Sequence, residues 1–210
     1  ITGNTKFDQT YAEVTPEDLK TYKEELGLYD DYPVIVAGST HPTEEEKLFE
    51  AFTEVQKEFP RARLLIAPRK PGRTHEITRL AERFGLTVGL RSVLRDEKGQ
   101  RPRYPVILID TIGELGRIYA VGDVVFVGGS LINHGGHNVL EPAAHAKPII
   151  VGPSMSNFKD SFSLLSKVGA CVQIRDTKEL TAMFLTILRD DALRKKMGDA
   201  SIQVIRENRG

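Results

Sequence analysis

The stretch Val127–Pro153 contains an unusual concentration of residue types that bind ligands. It reads VGGSLINHGGHNVLEPAAHAKPIIVGP, with two glycine pairs, Gly128–Gly129 and Gly135–Gly136, followed by His137. Glycine lets the backbone adopt positive φ and approach a ligand closely. A helix that begins after such a turn offers free N–H groups to a phosphate. The stretch is therefore a candidate phosphate-binding or nucleotide-binding loop.

Helix capping is an alternative explanation for part of this stretch. Asn138 can cap a helix, and Glu141, three residues later, can complete a capping box. Pro142 fits a helix start, because proline is tolerated only in the first turn. Capping explains these residues but not the two glycine pairs or His137. The two roles are compatible, and both stay open.

A second candidate is the basic segment APRKPGR, in which Arg69 directly follows an apolar run. A guanidinium held at the end of a strand can bind a phosphate with two parallel hydrogen bonds. Lys70 and Arg73 are better explained as part of a solvated basic loop. Only Arg69 is therefore predicted to contact a ligand.

The segment DTIGELG is a third candidate. Asp110 and Thr111 end an apolar run and Gly113 precedes a helix, so the backbone groups of this turn could bind the edge of a base. A capped helix explains the same spacing, with three residues directed inward: Leu115, Ile118 and Tyr119. Both interpretations stay open.

His41, in STHP, also follows an apolar run, and we expect it to pack against other residues rather than to catalyse. The five histidines show no spacing typical of a metal site and have no cysteine partner. No metal is expected.

The composition excludes several classes of function. The 29 basic and 29 acidic residues give a net charge of zero, which lacks the basic surplus of a nucleic-acid-binding protein. The single cysteine, Cys171, permits no internal disulfide and favours a reducing cytoplasmic setting. No apolar run approaches the roughly 18–20 residues that span a bilayer. Because the chain begins ITGNTKFDQ without methionine, we expect it to be a piece of a longer protein.

Short apolar runs alternate with amphipathic segments along the chain. Seven strands are predicted, at Pro33–Ala37, Arg63–Ala67, Leu86–Leu90, Val106–Asp110, Val124–Val127, Pro148–Val151 and Cys171–Ile174. Nearly continuous apolar runs are typical of strands buried on both faces. The alternation of strands with helices predicts an α/β fold with a doubly wound parallel sheet.

The helices of this fold place the candidate residues at one edge of the sheet. One helix is predicted over Glu44–Phe59, with a capping box of Thr43 and Glu46 at its start. Another is predicted to open at Thr15–Pro16, with proline at the first helical position. The candidate residues all follow strands, and ligands of doubly wound sheets bind outside the carboxyl ends of the strands. No G-x-G-x-x-G, P-loop lysine pattern or G-x-S-x-G is present, which argues against a dehydrogenase, an NTPase and a serine hydrolase.

Several of these motifs occur together in one known family. The segments TGNTKFD, STH, PR, DTIGEL, FVGGSL, GGHNVLEPAA and GP…NFKD follow the same order in the bacterial Kdo transferases, the 3-deoxy-D-manno-octulosonic acid transferases of lipid A assembly. The chain resembles this family from Gly3 to about Asp160. The combination of GGSL with GGHNVLEPA is highly specific. Beyond Asp160 only the alternation of helices and strands matches.

The resemblance implies the two-domain GT-B glycosyltransferase fold. Residues 1–14 are expected to belong to the interdomain linker, and residues 15–210 to form the C-terminal Rossmann-like domain, which binds the CMP part of CMP-Kdo. In this family the N-terminal domain carries the membrane anchor, the site for the lipid A precursor and the general base. The resemblance therefore implies an enzyme at the cytoplasmic face of the inner membrane, and a fragment that is soluble and inactive by itself.

The family's contact residues map onto this chain one by one. Nine CMP contacts are expected, at Pro68, Arg69, Ile112, Gly113, Glu114, Asn138, Val139, Leu140 and Glu141. Pro68 and Arg69 match the phosphate contacts, and Glu141 is expected on the ribose hydroxyls. Four further residues are expected directly behind the contacts: His41, Ser130, Gly136 and His137. The implied reaction inverts the anomeric carbon without a cofactor or metal, because an arginine and a helix N-terminus neutralise the departing phosphate.

Two departures and two alternatives remain. Lys70 stands where the family commonly has histidine, and Thr5 interrupts the usual linker motif GNLKFD. Another GT-B enzyme, a UDP-sugar transferase or epimerase, would also use a glutamate and a glycine-rich turn after the corresponding strand. A non-catalytic nucleotide-binding module is the alternative of a different class.

Overall fold

The computed structural model describes residues 11–29, 31–97 and 104–209. The predicted linker, residues 1–14, therefore lies mostly outside the described residues. Seven strands form one sheet: β1 Val34–Thr40, β2 Arg63–Pro68, β3 Val88–Leu90, β4 Val106–Leu108, β5 Val124–Val127, β6 Ile149–Val151 and β7 Cys171–Gln173. Every pairing is parallel, in the order β3-β4-β2-β1-β5-β6-β7. All seven strand predictions and the doubly wound sheet are confirmed.

Nine α-helices flank the strands within the described residues. They are α1 Pro16–Leu26, α2 Glu44–Glu58, α3 Thr74–Arg83, α4 Arg91–Leu94, α5 Leu115–Ile118, α6 Leu140–Ala144, α7 Lys159–Lys167, α8 Thr177–Arg189 and α9 Asp191–Asn208. Helix α1 precedes β1, α8 and α9 follow β7, and the others lie between strands. Two single 3₁₀ turns lie at Tyr119–Val121 and Ser156–Phe158. No helix in the described ranges has the length and hydrophobicity that a bilayer-spanning helix needs.

The strands are buried on both faces, which explains their continuous apolar runs. Successive residues of a strand point to opposite faces, so Val36 joins the cluster under α1, α6 and α7, whereas Ile35 joins the cluster under α2, α3 and α8. Both side chains are fully buried. Since each face needs a helical layer, the alternating order of strands and helices is the one that can bury this sequence.

The two predicted helix starts have different outcomes. Helix α1 begins at Pro16 as predicted, and Thr15 caps it in a box with Asp18. Helix α2 covers the predicted range, but the predicted capping box of Thr43 and Glu46 is wrong. Thr43 has a φ of +74° rather than the extended conformation of a capping residue. Its side chain therefore accepts no hydrogen bond from the helix.

Strand order reverses at β1, which pairs with β2 on one side and β5 on the other. The loops that follow the parallel strands lie together at the carboxyl edge of the sheet. That edge carries the segments that follow β1, β2, β4 and β5, which contain all the predicted site residues.

Candidate functional site

A cleft of about 580 Å³ lies at the carboxyl edge of the sheet. Its volume is within the roughly 300–1,000 Å³ typical of small-molecule sites. Ser39 of β1, Arg69 after β2, Thr111 after β4 and Glu141 of α6 contribute to its walls, and Tyr11 lies at its rim. Five separate segments of the chain therefore converge on one concave site.

Five of the nine predicted CMP contacts line this cleft: Pro68, Arg69, Ile112, Gly113 and Glu141. The other four, Glu114, Asn138, Val139 and Leu140, are neighbours in sequence that lie outside its lining. Val139 and Leu140 are fully buried in the core. Their backbone groups, rather than their side chains, are available to shape the site.

Arg69 is held by its backbone and exposed at its side chain. Its N–H donates to the carbonyl of Thr40 at 2.9 Å, which ties the ends of β1 and β2 together. The side chain is exposed and makes no hydrogen bond or ion pair with the described residues. Lys70 is exposed as well. These two cations lack a carboxylate partner in the described part of the chain, and Arg69 lines the cleft.

Arg73 differs from its prediction as part of a solvated loop. Its guanidinium makes two hydrogen bonds to Glu45, at 2.8 and 3.0 Å, and a third to Glu76 at 3.0 Å. The Arg73 side chain is only 13% exposed, and Glu45 is fully buried. The prediction is wrong because a buried carboxylate of α2 needs a cation, and Arg73 supplies it.

The turn after β4 is fixed by α4. Asp110 accepts hydrogen bonds from the N–H of Ser92 at 2.8 Å and from its hydroxyl. Glu114 accepts two from Arg91, at 3.0 and 3.2 Å, and one from Thr111. Burial acts to raise the pKa of Glu114, but the bonds from Arg91 and Thr111 hold it below its usual value. The side chain of Glu114 is thus committed to structure.

Between these fixed ends, the turn presents Ile112 and Gly113 to solvent. Ile112 is 86% exposed, and Gly113 has a φ of +86°. The alternative prediction for this segment, an inward-facing helix, also holds in part, since Ile118 and Tyr119 are buried in α5 and the turn after it. The segment therefore has two parts: the turn at Ile112 and Gly113 lines the cleft, and the helical residues Ile118 and Tyr119 pack in the core.

Sequence reasoning missed Arg91. It is 2% exposed, contacts Glu25 at 3.1 Å in addition to Glu114, and lies over the ring of Tyr22 at 5.4 Å. The available indication was its position directly after the apolar run of β3. The partners could not be foreseen, because Glu25 and Glu114 are far from Arg91 in sequence.

The first glycine pair serves packing rather than ligand contact. A Cβ at Gly128 would lie 2.2 Å from the carbonyl oxygen of Ser39. Gly129 has a φ of +69°, and a Cβ there would lie 2.7 Å from Cδ2 of His137. These glycines let the loops after β1 and β5 approach each other.

A carboxylate of the chain itself occupies the N–H groups of this loop. Glu44 accepts hydrogen bonds from Gly129, Ser130 and Leu131, at 2.8, 3.2 and 2.9 Å, and from His41 at 3.0 Å. Glu44 is fully buried, and burial raises its pKa although the four N–H groups act in the opposite direction. The N–H groups of Gly129, Ser130 and Leu131 are therefore taken by Glu44 and are not available to a ligand.

The second glycine pair also makes room for a neighbouring loop. Gly135 and Gly136 have φ values of +98° and +78°. A Cβ at either would lie 2.4 Å from the nearest side-chain atom, of Asn157 and Met155 respectively. Ser130, fully buried, joins the same arrangement by donating to the carbonyl of Val127 at 2.6 Å. None of the four residues expected behind the contacts lines the cleft.

Helix α6 begins later than the capping interpretation requires. Its first residue is Leu140, whose N–H donates to Oδ1 of Asn138 at 2.9 Å. Glu141 is thus the second residue of the helix and makes no capping box with Asn138. That interpretation is wrong for Glu141, whereas Pro142 does lie in the first turn as predicted.

Glu141 is instead a carboxylate in the cleft wall. It makes no hydrogen bond to any described residue, and burial raises its pKa. Tyr11 lies nearby, and burial followed by the charge of Glu141 raises the pKa of Tyr11 to about 12, against a hydrogen bond from Asn138. A half-buried carboxylate without a donor is poised to accept hydrogen bonds from a ligand.

Three histidines form a cluster beside the cleft. The rings of His41, His134 and His137 each offer a nitrogen within 4.8 Å of the others. Sequence reasoning missed this cluster because spacing along the chain does not report contacts between the loops after β1 and β5. His41 and His137 approach through their Nε2 atoms at 2.7 Å.

The geometry of the pair is that of a hydrogen bond. Its ring centroids are 5.0 Å apart. This separation is the largest that an Nε2–Nε2 distance of 2.7 Å allows, because each Nε2 atom lies one ring radius from its own centroid. The two nitrogens therefore point directly at each other. Two ligands of a tetrahedral zinc ion would instead lie about 3.3 Å apart with both lone pairs directed at the metal.

Comparison with known proteins agrees with the sequence motifs. No protein-family model matches the chain. The 3-deoxy-D-manno-octulosonic acid transferase of Haemophilus influenzae is 34% identical over the whole of this chain, which spans 48% of that protein. The 3-deoxy-D-manno-octulosonic acid transferase of Bordetella pertussis is 33% identical over 96% of this chain, and the match covers 46% of that protein. The chain thus spans about half the length of these relatives.

The fold comparison identifies which half. The crystal structure of the C-terminal CMP-Kdo binding domain of WaaA from Acinetobacter baumannii superposes with a TM-score of 0.81 and 27% identity, covering 90% of this chain and 97% of that domain. By sequence and by fold, the chain belongs to the 3-deoxy-D-manno-octulosonic acid (Kdo) transferase family and corresponds to the C-terminal, Rossmann-like half of a GT-B glycosyltransferase.

Proposed function

We propose that the chain is the donor-binding domain of an inverting glycosyltransferase that transfers Kdo from CMP-Kdo to a lipid A precursor. The observation that carries this proposal is the cleft at the carboxyl edge, which combines an arginine and a carboxylate that have no hydrogen-bond or ion-pair partner among the described residues. The Acinetobacter domain, similar over 90% of this chain, is described as a CMP-Kdo binding domain.

Arg69 is proposed to bind the phosphate of the donor. Its guanidinium has no carboxylate partner among the described residues, so its donors are available for a bidentate contact. Arg73 cannot take this role, because Glu45 and Glu76 already bind it. As CMP departs, the C–O bond to the anomeric carbon breaks and its electrons go to the phosphate. Arg69 neutralises this charge, and we expect no metal to be needed.

Glu141 is proposed to bind the ribose. Its carboxylate can accept a hydrogen bond from each of two neighbouring hydroxyls. Burial raises the pKa of the free group, and two hydroxyl donors would stabilise its charged form. Tyr11 lies near Glu141 and accepts a hydrogen bond from Asn138.

The turn after β4 is proposed to hold the base. Ile112 offers an exposed apolar surface, and the backbone of Gly113 is free of side-chain cover. The contacts of Glu114 with Arg91 and of Asp110 with Ser92 fix the turn on both sides. A rigid turn can distinguish bases through its backbone donors and acceptors without a conformational change.

The remaining parts of the reaction are assigned to the N-terminal half of the full enzyme. We propose that it supplies the general base, the lipid acceptor site and the membrane association at the cytoplasmic face of the inner membrane. Residues 1–14 would then link the halves and residues 15–210 would form the donor domain. The chain alone would bind the donor but transfer nothing.

Calorimetric titration of the chain with CMP and with UMP tests this function. CMP should bind more tightly than UMP, and Arg69→Ala should weaken CMP binding roughly 10–100-fold, as expected for a charge-assisted contact. Glu141→Gln should weaken it by a smaller factor. Matched controls are Arg79→Ala and Glu82→Gln, both at exposed positions of α3. Equal binding of UMP, or unchanged CMP affinity in Arg69→Ala, would contradict the proposal.

A further inference from the structure

The histidine cluster directly adjoins the proposed phosphate site. His41 follows Ser39 and Thr40, of which the first lines the cleft and the second accepts the backbone N–H of Arg69. A Cβ at Gly129 would lie 2.7 Å from His137 and 3.1 Å from His134. The rings therefore occupy space that only a glycine leaves open, so the cluster is built into the fold.

The hydrogen bond between His41 and His137 determines what the pair offers outward. Both Nε2 atoms are used in the bond, at 2.7 Å, so one ring donates and the other accepts. A neutral imidazole carries one N–H. The donating ring therefore has a bare Nδ1, and the accepting ring has an N–H at Nδ1. Neither Nδ1 bonds to a described residue. His134 packs against both rings, tilted on His41 with the centroids 4.4 Å apart and stacked on His137 with the centroids 4.8 Å apart.

The charges around the cluster are positive. Burial lowers the pKa of His41, and His134, Arg69, Arg73 and Lys70 lower it further. Burial lowers the pKa of His137 to about 4, with further lowering by His41, His134 and Arg69. Every side chain whose charge shifts these two pKa values is a cation or another histidine. The carboxylate of Glu44, which accepts the backbone N–H of His41, is already bonded to three further N–H groups. The surroundings therefore favour an incoming anion.

We propose that His41, His134 and His137 form, together with Arg69, a second anion subsite that binds the carboxylate of the donor sugar. This inference rests on the proposed function. An octulosonic acid activated at its anomeric carbon carries its carboxylate on the same carbon as the phosphate oxygen. Its two anionic groups are therefore neighbours, as are Arg69 and the cluster. CMP alone lacks the second group.

Binding of the carboxylate is coupled to a proton. The neutral pair presents one Nδ1–H, and a pair that gains one proton carries a positive charge with an Nδ1–H on each ring. Because the two Nε2 atoms point at each other, the Nδ1 atoms lie at opposite ends of the pair, so a carboxylate bonds to one Nδ1–H and is attracted by the charge of the pair. A bound anion stabilises the protonated pair and raises its pKa. The chain should therefore take up protons when it binds CMP-Kdo near neutral pH. The donor's phosphodiester and carboxylate do not titrate there, so any proton is taken up by the protein.

The groups that face the pair are all included in this expectation. They come from three parts of the chain: His134 in the loop after β5, the basic residues Arg69, Lys70 and Arg73 between β2 and α3, and Glu44 and Glu45 of α2. Glu45 neutralises Arg73, and Glu44 is saturated by four N–H groups. Within residues 11–29, 31–97 and 104–209, Arg69 and Lys70 are the cations near the pair that have no carboxylate partner.

The test compares CMP-Kdo with CMP by calorimetry in two buffers that differ in ionisation enthalpy. The titrations are run at about pH 7.5, where the phosphomonoester of CMP, with a second pKa of about 6, is already a dianion. The wild-type chain should bind CMP-Kdo more tightly and take up protons with CMP-Kdo but not with CMP. His137→Asn and His134→Ala should lower CMP-Kdo affinity roughly tenfold, change CMP affinity less than twofold, and reduce the proton uptake. His75→Ala, at an exposed position of α3, is the matched control.

Each other outcome overturns the subsite. If the histidine variants lose affinity for CMP-Kdo and for CMP equally, the histidines have a structural role. If the variants keep their affinity for both ligands, the histidines take no part in binding. Equal affinity of the wild type for both ligands without proton uptake would also overturn it. Failure of the proposed function gives a different result, because the wild-type chain would then prefer UMP or bind neither cytidine ligand.

Discussion

Substitution of Gly128 by alanine should distort the junction between β1 and β5. The new Cβ would lie 2.2 Å from the carbonyl oxygen of Ser39, whereas ordinary contacts begin at 3.4 Å. The two loops must therefore separate by about 1.2 Å. The obstacle is backbone, so no side-chain rotation relieves it. The N–H of Gly128 donates to the carbonyl of Gly38 at 2.8 Å, and this bond would be strained as well.

The expected loss of stability is about 3 kcal/mol. Overpacking a close contact costs about 1–3 kcal/mol, and weakening a buried backbone hydrogen bond adds about 1 kcal/mol. For a domain of this size, that corresponds to a decrease in Tm of roughly 6–12 °C. Because Ser39 lines the cleft, CMP affinity should fall as well.

Urea unfolding followed by circular dichroism measures this loss, and Gly116→Ala supplies the control. A Cβ at Gly116, in α5, meets nothing within 4 Å. Alanine there should stabilise the chain by about 0.5–1 kcal/mol through its helix propensity. Equal midpoints for the two variants would refute the packing role assigned to Gly128.

Three further predictions concern the contacts that support the site. Arg91→Met should lower the free energy of unfolding by about 2–3 kcal/mol and weaken CMP binding. The loss is smaller than for a fully buried ion pair because Glu25 and Glu114 are partly exposed. Arg95→Met is the control, and unchanged CMP affinity in Arg91→Met would show that Arg91 does not support the turn after β4. The free energy of unfolding should fall as the pH drops from about 6.5 toward the folded pKa of His137, about 4, because the unfolded state binds more protons in this range. His137→Asn should flatten the dependence of the free energy of unfolding on pH. An unchanged dependence would contradict the lowered pKa of His137. Thr15→Ala should lower the free energy of unfolding by about 1 kcal/mol because it removes the cap of α1. Thr43→Ala should change the free energy of unfolding little, since the Thr43 side chain makes no cap hydrogen bond. Similar losses of stability in the two variants would contradict the two cap geometries.

The fold was predictable because its determinants are local. The strands are buried on both faces, so that consecutive residues must be apolar. Such a continuous apolar run can be recognised in the sequence without knowledge of its partners. The start of α1 was predictable for the same reason, since Thr15 and Pro16 act within one turn. The carboxyl edge of the sheet, and with it Arg69 and Glu141 in the cleft, followed from the parallel topology.

The parts that sequence did not predict depend on contacts between distant segments. Glu44 looks like any acidic residue of a first helical turn, yet it accepts N–H groups of a loop 85 residues away. Arg73 looks solvated until the buried Glu45 is placed beside it. The glycines of Val127–Pro153 indicate a close approach of the backbone to something, but sequence cannot distinguish space left for a ligand from space left for a neighbouring loop.

The most direct test of the donor site is a crystal structure of this chain with CMP. The phosphate should lie within hydrogen-bond distance of the Arg69 guanidinium, the ribose hydroxyls should contact Glu141, and the base should lie against Ile112 and Gly113. A CMP molecule bound elsewhere, for example in the open groove of about 480 Å³ between Ser130 and Ser156, would contradict the assignment of the cleft.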